Sequence, residues 1–249
     1  IIAQEILMGE DNPGMAIYYQ LLRQLYARHP IRDRVAGTVE SISGITDKTL
    51  YDCHRAFYAP SNMALCVEGD VDPERIYAIA LEALPQERMP VPHADYGQAE
   101  NLLPAECFAS REMPVSAPQF LAGFKCAPAT EGDDYMRAAI LGDMASDILL
   151  GESSALYQRL YEQGLINPSF GGAFEMMPGV AYLYAGGDSK DANAVTDAIL
   201  REAARIAAEG VDEDYFRRIR KASFGANLRG LNSFENIAVT LTEGYFHGY

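Results

Sequence analysis

The sequence predicts an α+β chain in two parts, each with helices packed on a mostly antiparallel sheet. Segments with apolar residues at helical spacing and short apolar runs follow one another in a mixed order. That order favours helices layered on an antiparallel-rich sheet over a strictly alternating parallel one. Pro85, Pro90, Pro92 and Pro104 punctuate a stretch of little periodicity, which reads as an interdomain linker over residues 86–105. At 249 residues, the chain has length for one large domain or two medium ones, and the linker favours two. The expected division is therefore residues 1–85, the linker, and residues 106–249.

Residues 1–10 carry Ile2 and Ile6 and read as a helix. Asn12-Pro13 is a cap followed by proline at the first helical position, and Ile17, Leu21, Leu22, Leu25 and Tyr26 then recur on one face until His29-Pro30. Thr46 caps the next helix, with Leu50, Cys53 and Phe57 on a shared face. Residues 63–68 read as a strand closed by Gly69-Asp70, and Asp72-Pro73-Glu74 opens a helix reaching about Leu84. Past the linker, residues 106–112 and 118–126 read as strands. A helix follows over residues 133–150, with Met136, Ile140, Met144 and Ile148 as its stripe. A shorter helix covers residues 153–162, and a hairpin turns at Pro178-Gly179 between residues 170–175 and 180–185. Helices over residues 192–208 and 212–231, divided by Gly210, complete the pattern. The start on Ile1-Ile2 and the end on Gly248-Tyr249, inside a patterned segment, read as cuts.

Composition narrows the function. A formal net charge of −15 argues against nucleic acid, whose binding needs clustered Lys and Arg, and against anionic membrane surfaces. No apolar run approaches the roughly 18 residues of a membrane span. Cys53, Cys66, Cys107 and Cys126 show neither a C-x-x-C pair nor zinc-finger spacing. Cys53 and Cys66 sit at apolar-patterned positions and read as reduced core residues, which fits a cytoplasmic setting.

Chemical motifs are scarce. There is no G-x-S-x-G, no phosphate-binding glycine loop and no dinucleotide fingerprint. His29, His54, His93 and His247 are scattered, whereas hydrolytic zinc sites place two ligands within one turn of a helix so that both project from one face. His29 reads as a helix-ending structural residue and His54 as a surface or packing residue. Glu5, taken alone, reads as a solvated side chain.

Read together, the segments say more. The ordered set runs Ile1-Ile2-Ala3-Gln4-Glu5-Ile6, Asp11-Asn12-Pro13, Leu25-Tyr26-Ala27-Arg28-His29-Pro30, Gly37-Thr38-Val39-Glu40-Ser41-Ile42, Ile45-Thr46, Phe57-Tyr58-Ala59-Pro60-Ser61-Asn62-Met63 and Val67-Glu68-Gly69-Asp70-Val71-Asp72-Pro73-Glu74. It resembles the pitrilysin/insulinase family of zinc metallopeptidases, in its bacterial processing-peptidase-like branch. Gly151-Glu152-Ser153-Ser154-Ala155-Leu156-Tyr157-Gln158-Arg159-Leu160-Tyr161-Glu162-Gln163-Gly164-Leu165 resembles that family's second, non-zinc domain.

The resemblance implies two related domains of the LuxS/mitochondrial-processing-peptidase type, both incomplete here, closing around a peptide substrate. It implies an inverted His-x-x-Glu-His motif in the parent protein. Two histidines there would hold zinc and the glutamate would activate a water whose pKa the metal lowers. A third ligand falls in a segment of the type Ile-x-x-Glu, and that position matches Glu5. The histidine motif does not occur in this sequence, so the fragment is expected to be inactive and to hold no tight zinc.

Many members also carry in the second domain an arginine and, about seven residues later, a tyrosine that grip the substrate. Tyr161 and Asn167 stand near those places, with one residue fewer between them and Arg159 adjacent. Unless Arg159 substitutes from its neighbouring position, the pair is absent here and is expected to come from a homologous partner subunit. The alternative reading is a non-catalytic, peptide-binding or scaffolding subunit of the same family.

Overall fold

A computed structural model of the chain describes residues 1–84 and 90–249. Pro85 and the first part of the expected linker, residues 86–89, lie outside the described residues. The chain gathers into two compact units. The larger comprises Ile1–Val39 with Tyr96–Ser223, and the smaller Glu40–Asp95 with Phe224–Tyr249.

The larger unit is built on one antiparallel sheet of β1 (Gln119–Lys125), β2 (Gly171–Met177) and β3 (Val180–Asp188), in the order β1-β3-β2. β2 and β3 form the expected hairpin, with Met177 opposite Val180 across Pro178-Gly179. Gly179 takes φ 80°, where a side chain would clash with its own backbone. Alternation then sorts the side chains. Phe120, Ala122, Phe124, Leu183 and Ala185 face one core, shared with Leu149, Leu150, Leu156, Leu160, Val195 and Ile199. Those partners come from α6 (Gly132–Leu150), α7 (Ala155–Glu162) and α8 (Ala192–Glu209). Leu121, Val180, Tyr182 and Tyr184 face the other way, onto Leu21, Leu22, Leu25 and Tyr26. Leu21, Leu22 and Leu25 belong to the end of α2 (Pro13–Leu25), which follows α1 (Ile2–Asp11), and Tyr26 is its C-cap residue. The sheet is thus covered by helices on both sides.

Caps fix the helix ends, at Asn12 as the sequence indicates. The Asn12 side chain accepts from the Met15 amide, and Pro13 stands at the first position of α2. The Ser154 hydroxyl accepts from the Tyr157 amide at the start of α7, and the Asp191 carboxylate from the Ala194 amide at the start of α8. α8 ends at Gly210, at φ 82°.

The expected stripe on α6 is rotated. Met136 and Ile140 are exposed, and the buried face instead carries Tyr135, Met144, Ser146, Leu149 and Leu150. Small residues decide this. A Cβ added at Gly142 would lie 2.2 Å from Phe174 Cδ1, so β2 packs against α6 where the helix is thinnest, not where its side chains are largest.

The smaller unit contains most of α3 (Val39–Ser43), then α4 (Asp47–Phe57), α5 (Pro73–Ala83), the end of α9 (Glu213–Gly230) and α10 (Phe234–His247). α4 opens with a reciprocal Thr46–Thr49 capping box, and Asp72 caps α5 on the Glu74 and Arg75 amides. Two expected strands do not form. Residues 63–68 and 106–112 are non-helical but pair with no strand among the described residues. A strand exists through its ladder, so alternation alone cannot create one. Cys53 is exposed and Cys66 partly exposed, so neither is the core thiol its position suggests. Among the described residues no helix is long and apolar enough to cross a membrane.

Candidate functional site

α1 places Glu5 on its exposed side, while its neighbour Ile6 is 2% exposed. Zinc needs three or more converging donors, and among the described residues no group of three His, Cys, Asp or Glu side chains could hold a metal. The histidines are placed elsewhere. His54 is exposed and stacks on Tyr58, and His247 stacks on Tyr249. The described residues therefore do not form a zinc site by themselves.

The region aligned with the arginine–tyrosine pair is committed to structure. Arg159 Nη2 lies 3.0 Å from Glu202 Oε2, and Glu202 is nearly buried at 7% exposure. Arg205 completes this carboxylate's pairing at 2.7 Å. Their hydrogen bonds hold the Glu202 carboxyl below the usual range, Arg205 contributing most, against the opposing effect of desolvation. Asn167 donates to Asp188 Oδ2 at 3.1 Å and accepts from the Ser169 amide, fixing the loop before β2. Tyr161 is exposed, and its ring stacks on Tyr157. Arg159 is thus an anchor between α7 and α8 rather than a free cation.

Sequence reading missed a buried charged knot at the end of α2. Glu100 accepts from the Ala27, Arg28 and His29 amides at 2.8, 2.7 and 2.9 Å. Lys125 Nζ stands 3.5 Å away and 4.5 Å over the Tyr26 ring. Burial alone would raise the Glu100 carboxyl, but three amide donors and Lys125 outweigh it and bring it down to about 2. His29, as expected, is structural. Its Nδ1 accepts from the Ile31 amide, so Nε2 carries the proton that reaches the Pro178 carbonyl at 3.1 Å. No local pattern marks Glu100 in the sequence, because its partners lie some seventy residues away.

The larger unit also holds a cavity of about 730 Å³. Its walls are β1, the α2 residues Ile17, Leu21 and Gln24, the α8 residues Thr196 and Leu200, and chain between residues 104 and 115. The Gln24 Nε2 atom is buried there without a hydrogen-bond partner among the described residues.

Comparison with known proteins places this architecture. The family model described as the peptidase M16 inactive domain matches residues 44–223. The chain belongs to this family. A zinc protease of Bacillus subtilis, YmfH, is 35% identical over 99% of the chain. The M16-like peptidase from Alicyclobacillus acidocaldarius shares 31% identity at a TM-score of 0.89, again over 99% of the chain. A Helicobacter pylori protease shares the fold at a TM-score of 0.84 with 17% identity. The chain spans 58% of YmfH and 59% of the Alicyclobacillus peptidase, so these relatives carry a substantial length beyond the matched part. Membership in the M16 family bears out the resemblance read from the sequence. The helix-covered antiparallel sheet of the larger unit is the fold expected of its inactive domain.

Proposed function

We propose that these 249 residues are part of a zinc-dependent endopeptidase that hydrolyses peptides between two related domains. In this reading residues 1–85 close the zinc domain, residues 86–105 link the two, and residues 106–249 belong to the non-zinc domain. Glu5 supplies the third zinc ligand of the parent protein, and the fragment alone is inactive. The observation that carries the reading is the match over 99% of the chain to a protein named a zinc protease, of which the chain is only 58%. Its support at the site is chemical. The chain offers an exposed carboxylate at Glu5 and, among the described residues, no set of donors that could complete a metal site. Arg159 is held by Glu202, which favours a homologous partner subunit as the source of the substrate-gripping arginine and tyrosine.

The test is zinc content and peptide cleavage of the parent protein with and without Glu5→Gln. The expected outcome is loss of most bound zinc and at least ~100-fold loss of cleavage, as for removal of a direct metal ligand. A parent that holds zinc and cleaves peptides equally well as Glu5→Gln would remove Glu5 from the site. A parent with neither zinc nor cleavage would point to a non-catalytic, peptide-binding subunit.

A further inference from the structure

α2 covers one face of the sheet over β1 and β3 but not over β2. The cluster beneath it takes Leu121 from β1 and Val180, Tyr182 and Tyr184 from β3, and no residue of β2. Glu175 lies directly across from Tyr182, and Ala173 across from Tyr184, so both point to that same face. Met177, two residues further on, does the same. Phe174 and Met176 point the other way, to the side where α6 packs. Ala173 and Glu175 are partly buried and Met177 is exposed, which leaves an open strip along this outer strand.

Two tyrosines border the strip. The Tyr18 and Tyr184 rings meet edge to face at 5.8 Å between centroids, and both are partly exposed. The Tyr18 hydroxyl lies 2.6 Å from that of the fully buried Tyr182, which holds the Tyr18 ring in place. Tyr184 stands diagonally from Glu175, within reach of a long side chain laid between them. Glu175 has no hydrogen bond or ion pair among the described residues. Burial raises its carboxyl, and Asp143 of α6 raises it further. Asp143 is raised in turn by burial and by Asp147, one helical turn along. The contrast with the other desolvated carboxylates of this unit is sharp. Glu100 has Lys125, and Glu202 has Arg159 and Arg205. Glu175 meets like charge and ring faces instead.

A carboxylate left unpaired in a fold that pairs its other buried carboxylates marks a ligand position. We infer that the strip docks a lysine or arginine side chain of a bound peptide. Glu175 takes the charged head, Tyr18 and Tyr184 flank it, and Ala173 and Met177 receive the apolar stem. The inference rests on the proposed function for its ligand, a peptide, and names the side chain that is read. Charge complementarity selects the occupant. An inorganic divalent cation needs several converging oxygens, and among the described residues no group of three suitable side chains supplies them. An acidic or apolar segment would leave Glu175 without a partner. An ammonium or guanidinium group on a long stem meets every element of the strip. The carboxylate pairs with it, the ring faces attract it, and the methylenes pack on the apolar neighbours. The chain's net charge of −15 draws basic peptides from a distance without choosing where they bind.

The test is fluorescence anisotropy of a labelled Gly/Ser peptide carrying one arginine, against the same peptide carrying citrulline, which keeps the shape of arginine without its charge. The 249-residue chain is expected to bind the arginine peptide ~10-fold more tightly, the worth of one charged hydrogen-bonded contact. Glu175→Gln is expected to remove most of that difference, and Tyr184→Leu to reduce it about three-fold. Glu162→Gln removes an equal charge from the exposed end of α7 and is expected to leave the difference unchanged. Lysine against norleucine is expected to repeat the pattern. Equal binding of the two peptides would overturn the inference. So would a difference that survives Glu175→Gln, or one that falls as much with Glu162→Gln. Spermidine competing as strongly as the arginine peptide would make this a site for free polyamines, and self-association lost in Glu175→Gln would make a second copy the occupant. Either result overturns it. The measurement reads binding alone, so a parent without zinc or cleavage would defeat the proposed endopeptidase and leave this result standing.

Discussion

In the larger unit, apolar side chains from α2, α6, α7 and α8 converge on both faces of a sheet and form three buried clusters. In the smaller unit, Ala59 is the one apolar side chain in the buried core among the described residues, while Leu50, Phe57, Leu65, Leu241 and Phe246 are exposed. Both units have well-capped helices. The difference is the sheet. Caps and proline positions act over three or four residues and form helices wherever they occur. A core needs a surface on which several helices can bury a stripe at once, and the larger unit has one.

That contrast can be broken by mutation. Leu156→Ala, at 0% exposure between the sheet and α8, is expected to cost about 3–5 kcal/mol in denaturant unfolding. Leu241→Ala, at 55% exposure, is expected to cost less than about 0.5 kcal/mol. Equal costs would mean that the smaller unit has a core of comparable weight.

The charged knot gives the next largest effect. With its carboxyl at about 2 instead of the ordinary 4.5, Glu100 binds its proton more weakly in the folded than in the unfolded chain. Its stabilisation is therefore fully present above about pH 4.5 and is lost as the pH falls toward 2. Glu100→Gln, which leaves Lys125 buried without its counter-ion, is expected to cost about 2–3 kcal/mol at neutral pH and to flatten the acid limb of a stability–pH curve. An acid limb of unchanged steepness would mean that other carboxylates control it.

Gly142→Ala is expected to cost about 1–3 kcal/mol, because the new methyl would meet Phe174. A neutral result would show that α6 can ride up on β2 without loss. Thr46→Ala, in the exposed capping box of α4, is expected to cost about 1 kcal/mol. That change should appear as faster amide exchange confined to the first turn of α4, with the clusters of the larger unit undisturbed.

These effects also show what the sequence reveals. Helix starts were legible at Asn12, Thr46 and Asp72, because the cap and the amides it satisfies are neighbours in the chain. The hairpin was legible because Pro178-Gly179 encodes its own turn. Residues 63–68 and 106–112 carry strand-like patterns without a ladder, and pattern does not report partners. On α6 the large residues pointed to the wrong face, since close approach to Phe174 is a property of Gly142 and the alanines beside it. Glu5 has no local signature as a ligand, and the role proposed for it rests on the family resemblance alone. Glu100 and Gln24 had none, because what distinguishes them is burial against distant backbone.

The most direct test of the account is zinc bound per chain after exhaustive dialysis, measured on the 249-residue chain and on the parent protein side by side. The account predicts about one zinc per parent chain, little on Glu5→Gln parent, and far less than one on the 249-residue chain. Tightly bound, stoichiometric zinc on the 249-residue chain would contradict it.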